Sequence, residues 1–166
     1  MSLGILLLRL LLAGLLFGHA TQKLFGWFHG QGPAGTGAIF EKWGIRPGKA
    51  MATLAGATEL VGAVLIALGL LSPLGSAIIV GTMTVAASVN VSNGFWAVMG
   101  GYEVAFVYGA LAAVLAYIGP GVWSLDNLFG LNAWSGPGWA TAAVVIGLLG
   151  SVPLLLRRRQ ILAAQR

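Results

Sequence analysis

The chain has 166 residues, of which 58% are hydrophobic and 8% charged, with a formal net charge of +5. A soluble domain carries about a quarter charged residues, so this composition excludes an ordinary soluble protein and predicts an integral membrane protein. The basic residues sit at the ends of apolar segments rather than on an aromatic-studded polar face, which argues against a nucleic-acid partner, and the lack of cysteine excludes disulfides, thiol catalysis and cysteine-ligated clusters.

Crossing a bilayer takes roughly 20 mostly apolar residues. The first such segment is 3–22. On it Arg9, Leu12, Leu16, His19 and Lys23 fall within roughly an 80° sector, which predicts one polar side along the helix. Gly14 and Gly18 form a GxxxG pair suited to close helix approach. A cleaved signal peptide ending at Gly18-His19-Ala20 is the alternative for this segment. Cleavage would strand the basic residues of the following loop outside, so a spanning helix is the expectation.

The loop 23–49 carries three aromatic clusters among glycines. Its stretch "TGAIFEKWGI" predicts a short interfacial helix with Phe40 and Trp43 dipping into lipid. The second segment, 50–71, contains Glu59. A tight Ser72-Pro73 turn leads into the third, 74–91, where Gly81, Thr84, Ser88 and Ser92 form a stripe that brings hydroxyls to its lower half. The fourth, 95–118, contains Glu103. The loop 119–137 places Trp123, Phe129 and Trp134 at an interface. In the fifth segment, 138–156, Gly147, Gly150 and Pro153 weaken helix propensity, which a membrane tolerates.

The first loop holds Lys23, Lys42, Arg46 and Lys49, and the tail holds Arg157, Arg158, Arg159 and Arg166. Five crossings put both groups on one face, against only Asp126 in the loops of the other. The charge bias then predicts the N-terminus outside and the C-terminus in the cytoplasm.

The ninth basic residue, Arg9, lies inside the first segment. Counting along the segments places Glu59 and Glu103 at similar depths, roughly 12–13 Å from the cytoplasmic boundary, and Arg9 roughly 20 Å from it. An arginine side chain reaches across such a gap, so the three charges are expected to meet inside the bundle, with Thr84 and Ser88 as hydroxyl neighbours and His19 and Lys23 below. Two carboxyls in such a site favour one of them keeping its proton. A structural ion pair and a proton or quinone-like ligand site both fit these residues. No second spanning histidine is available for a haem pair, and no metal signature is present.

The stretches "LLLRLLLAGLLFGHATQKLFGW", "ATELVGA", "NGFW…GGYE" and "GPGVWSLD" together resemble the DoxX family of small bacterial and archaeal membrane proteins, over about residues 3–130. Arg9, His19, Lys23, Glu59, Gly101, Glu103, Gly119, Pro120 and Asp126 fall on the family's recurrent polar and glycine positions; Ala20 stands where the family often has glycine. The resemblance implies an all-α membrane protein: a four-helix transmembrane bundle over 1–130, extended by a fifth transmembrane helix in 131–156 and a basic cytoplasmic tail, 157–166. It also implies a bacterial or archaeal cytoplasmic membrane. The family name derives from a membrane subunit of a thiosulfate:quinone oxidoreductase, and actinobacterial relatives are associated with superoxide dismutase and a sulfurtransferase in an oxidative-stress complex. The expected function is therefore a membrane subunit of a redox-protection complex, with quinone as the implied ligand and soluble redox partners at the cytoplasmic face. A small proton-coupled transporter of an apolar or weakly acidic solute, and a non-catalytic scaffold, are the alternatives.

Overall fold

A computed structural model describes residues 2–165; Arg166 lies outside them. Among the described residues the chain is helical, with no strand. Its helices are α1 (Ser2–Leu24), α2 (Gly32–Lys42), α3 (Gly48–Leu68), α4 (Ser72–Asn90), α5 (Glu103–Ile118), α6 (Leu125–Leu128) and α7 (Pro137–Ala163). Short 3-10 turns at Val91–Asn93, Ala97–Met99 and Leu131–Trp134 punctuate the loops.

Four helices, α1, α3, α4 and α7, are long and apolar enough to cross a membrane. The exposed surface shows why a membrane is needed. Leu3, Leu7, Leu11, Val61, Val64, Ile146 and Leu149 are all at least half exposed apart from Val64, which is nearly so. A leucine-rich outer face is compatible only with a hydrocarbon solvent.

The fourth expected segment differs from its prediction. Helix starts at Glu103 rather than near residue 95, and α5 has 16 residues, about 24 Å of rise against a hydrocarbon thickness near 30 Å. The cause lies in "NGFWAVMGGYE". Gly94 and Gly100 take positive φ (80° and 74°) and break the helix, while a 3-10 turn fills the space between them.

Helix α1 packs along α3, and α4 lies centrally against α3, α5 and α7. Leu12 and Leu16 of α1, Ala63 and Ile66 of α3, Ile79 and Met83 of α4, and Leu115 of α5 form the shared core. Lipid supplies no hydrophobic drive between helices, so close approach depends on small residues. Gly62 of α3 takes the side chain of Ile79, and Gly75 of α4 takes Leu65. Gly81 of α4 sits against the backbone of Gly147 on α7, and Gly147 lies over the carbonyl of Ala77. By contrast, Gly14 and Gly18 face open space, so the GxxxG pair expected to pack α1 meets no neighbour within the chain.

α7 runs past residue 156 through the arginines to Ala163. Arg158 Nε donates to the Trp43 carbonyl at 2.8 Å, and Leu162 lies against Gly44. The end of the first loop and the arginine segment therefore occupy the same end of the molecule.

These contacts make a specific prediction. A Cβ at Gly147 meets backbone, whereas one at Gly150 meets nothing. Gly147→Val should cost about 1–3 kcal/mol by forcing α7 from α4, and Gly150→Ala should be close to neutral. Thermal unfolding in mild detergent distinguishes the two.

Candidate functional site

The charges expected to form one cluster separate to two ends of the bundle. Arg9 is 3% exposed and meets neither glutamate. Its Nε donates to the Ile66 carbonyl at 2.9 Å and Nη2 to Ala67 at 2.6 Å, at the C-terminal end of α3. Nη1 donates to the carbonyls of Pro120 and Trp123, both at 2.7 Å, in the loop after α5. The guanidinium thus caps the end of α3, sharing the Ile66 carbonyl with Gly69 N–H and taking up that of Ala67, and ties it to two loop carbonyls. Gly69, with φ 59°, closes α3 where any Cβ would strike the Arg9 guanidinium.

Asp126 supplies the matching anion on the same turn. It is 3% exposed, and its carboxylate accepts from Leu71 N (2.7 Å), Ser72 N (3.0 Å) and Ser72 Oγ (2.7 Å) at the start of α4. A cation at the C-terminus of α3 and an anion at the N-terminus of α4 both oppose the local helix dipoles. The sequence marked Asp126 as a loop charge and as a recurrent family position within "GPGVWSLD", without a partner.

Glu103 is also apart from Glu59. It begins α5, and its Oε2 accepts from Ala97 N at 2.8 Å, bracing the 3-10 turn that replaces helix there. Thr84 and Ser88 bond to the carbonyls of Val80 and Val85 on their own helix and do not line the cavity described below. The polar stripe of α1 is interrupted at its centre: Leu12 and Leu16 are fully buried in the core.

At the other end three of the expected residues do come together. Lys23, in the last turn of α1, runs back along the helix, as helical side chains do. Its Nζ donates to Glu59 Oε1 (2.9 Å), Glu59 Oε2 (2.8 Å) and the His19 carbonyl (3.2 Å). Glu59 is 3% exposed and the Lys23 side chain 20%. Gly56, one turn before Glu59, lets the end of α1 approach α3, since a Cβ there would press on Leu24 and Lys23. His19 meets the ring of Tyr108 on α5 edge to face, with centroids 5.6 Å apart.

This pair lines a cavity of about 720 Å³. The helices α3 and α4 are joined tightly at their hairpin end, and Thr82 Oγ1 donates to Thr58 Oγ1 at 3.2 Å. Beyond that bond the two helices face each other across space, with Leu54 and Ala55 on one side and Val85, Ala86 and Val89 on the other. Phe40, Trp43 and Ile45 line the cavity near its α2 end, the first two with ring centroids 5.8 Å apart. Phe40 and Trp43 therefore contribute to an internal wall, where the sequence pointed them to lipid. Their placement follows from α2, whose Gly37 packs on the backbone of Gly48 and Lys49, and from Glu41 Oε1, which accepts from Gly48 N at 2.5 Å. Tyr108, Thr58 and Thr82 are cavity residues that the sequence reading passed over; uncharged hydroxyls in apolar helices carry little signal without the fold.

The family model DoxX matches residues 4–92, more than half of the chain. The protein belongs to the DoxX family. The matched segment holds Arg9, His19, Lys23 and Glu59 and stops before α5, so it is shorter than the resemblance to residue 130. No curated protein and no solved structure matches the chain.

Removing one partner of a buried pair leaves a charge uncompensated, whereas removing both does not. Lys23→Met should destabilise this DoxX protein by roughly 3 kcal/mol, and Lys23→Met/Glu59→Met by less than Lys23→Met alone. Arg9→Lys should also lower Tm, because a point ammonium cannot serve four carbonyls spread over two segments. Unfolding of the four proteins in one detergent measures all three effects.

Proposed function

We propose that this DoxX protein is a membrane subunit of a redox or oxidative-stress-protection complex, and that its cavity holds the head of a quinone-class ligand. The observation that carries the reading is the composition of the cavity wall. A large apolar space meets one compact set of polar groups: the Lys23–Glu59 pair, His19 and Tyr108. Ligand sites commonly combine an apolar lining with a few convergent polar groups that fix orientation. A quinone ring presents carbonyl acceptors on an apolar body. The Tyr108 hydroxyl and the His19 ring supply donors of the kind those acceptors require, and the Lys23 ammonium serves only by giving up a bond to Glu59 or to the His19 carbonyl.

In this reading electrons pass between the ligand and a soluble partner docked at the basic face. The chain contributes binding, orientation and a carboxylate, Glu59, placed to exchange a proton with a reduced ring. The charge bias of the loops supports an orientation with the N-terminus outside and the basic face in the cytoplasm. The apolar turn before α5, with Trp96, Val98 and Met99 all strongly exposed, supports α5 together with its lead-in as a fifth crossing.

A saturable titration with a long-tailed quinone in nanodiscs, read by quenching of tryptophan fluorescence, tests the reading. Wild-type protein should bind, and Tyr108→Phe should weaken binding by about tenfold, the loss of one strong hydrogen bond. Absence of saturable binding in folded wild-type protein would refute it.

A further inference from the structure

We infer that the cavity opens sideways into the bilayer between α3 and α7, and that its occupant is a membrane-dissolved amphiphile whose apolar tail lies in that opening. The inference rests on the proposed ligand site and adds the route and the shape of the molecule.

Three observations lead to it. First, α3 and α7 flank α4 with almost no packing between them, while α4 packs against both. The wall of the bundle is therefore thin over that face of α4. Second, some residues that line the cavity are also widely exposed. Leu54 of α3 is 52% exposed, Leu74 of α4 is 50% and Ile146 of α7 is 63%. Leu54 and Ile146 stand on the two helices that flank the gap, so their exposed surface borders it. Ile146, Gly150 and Leu154 follow i, i+4, i+8 spacing, so one stripe of α7 borders the opening. Third, the end nearest the first loop is lined by bulky groups, Phe40, Trp43 and Ile45. The rim is apolar and the polar groups lie within, which matches a molecule with a polar head and a hydrocarbon tail. A small hydrophilic solute would meet only aliphatic side chains at this mouth.

Gly150 makes the route testable. A Cβ added there meets no atom within 4 Å, so a side chain can grow from this position without first displacing the α4–α7 contact. The chain has no cysteine, so a single Ala86→Cys, on the cavity wall of α4, reports access alone. In nanodiscs, with both faces in contact with buffer, labelling by a long-chain alkyl maleimide dissolved in the bilayer is compared with labelling by a charged, membrane-impermeant maleimide. The alkyl reagent should react faster. Adding Gly150→Phe should slow it by about tenfold, and Gly150→Ala should leave the rate unchanged. Ile146→Trp, at the same rim, gives a second obstruction if the phenylalanine variant fails to fold. Faster labelling by the charged reagent, or unchanged alkyl labelling in both obstructed variants, would overturn the sideways route. No quinone is used, so this result is independent of the titration that tests the ligand.

Discussion

Hydrocarbon gives a polar group nothing to bond with, and this constraint decides where the helices of the protein stand relative to one another. Each charge buried in the bundle is answered by a group on a different element. Arg9 reaches from α1 to the end of α3 and to the loop after α5. Asp126 returns from α6 to the start of α4. Lys23 ties the opposite end of α1 to the middle of α3. Remove these connections and the apolar faces alone leave the register of the helices poorly determined, because one leucine surface slides on another at little cost.

The two ends of α1 do different work. At one end the cation meets only backbone, and the result is a rigid turn between α3 and α4. At the other the cation meets a carboxylate beside an open space. The first arrangement is built on backbone alone, with four of the five guanidinium N–H groups donating to carbonyls. The second places ionisable groups where a small molecule has room to stand. That contrast is why the functional reading rests on Lys23 and Glu59, and why Arg9 and Asp126 are read as the frame that holds the bundle around them.

Much of this was legible in the residues. Apolar length and loop charge identified the membrane class and the long helices, because these depend on composition over many residues. The inward face of α1 followed from helical spacing, and Lys23, His19 and Glu59 were named before their contacts were known. Depth counting failed for Glu103. It assumed one continuous helix from residue 95, and two glycines with positive φ interrupt it. It also failed for Arg9, whose long side chain had been assigned to carboxylates although backbone carbonyls were nearer. Backbone acceptors are invisible to a reading that counts side chains. Thr82 was missed in favour of Thr84 for a related reason: both lie on α4, and only the direction of α3 decides which one faces the space between them.

Lys23 carries three N–H donors, and all three are already engaged, two by Glu59 and one by the His19 carbonyl. An oxygen arriving from a ligand cannot simply add itself to this ammonium. It must take over a bond that the protein itself is making, so recognition at this nitrogen is an exchange of partners. The strength of such a contact is a difference between two similar interactions and is small even when the bond formed is good. Selectivity then shifts to the neighbours that give something without giving anything up, and to how readily the displaced carboxylate finds a new proton or a new donor.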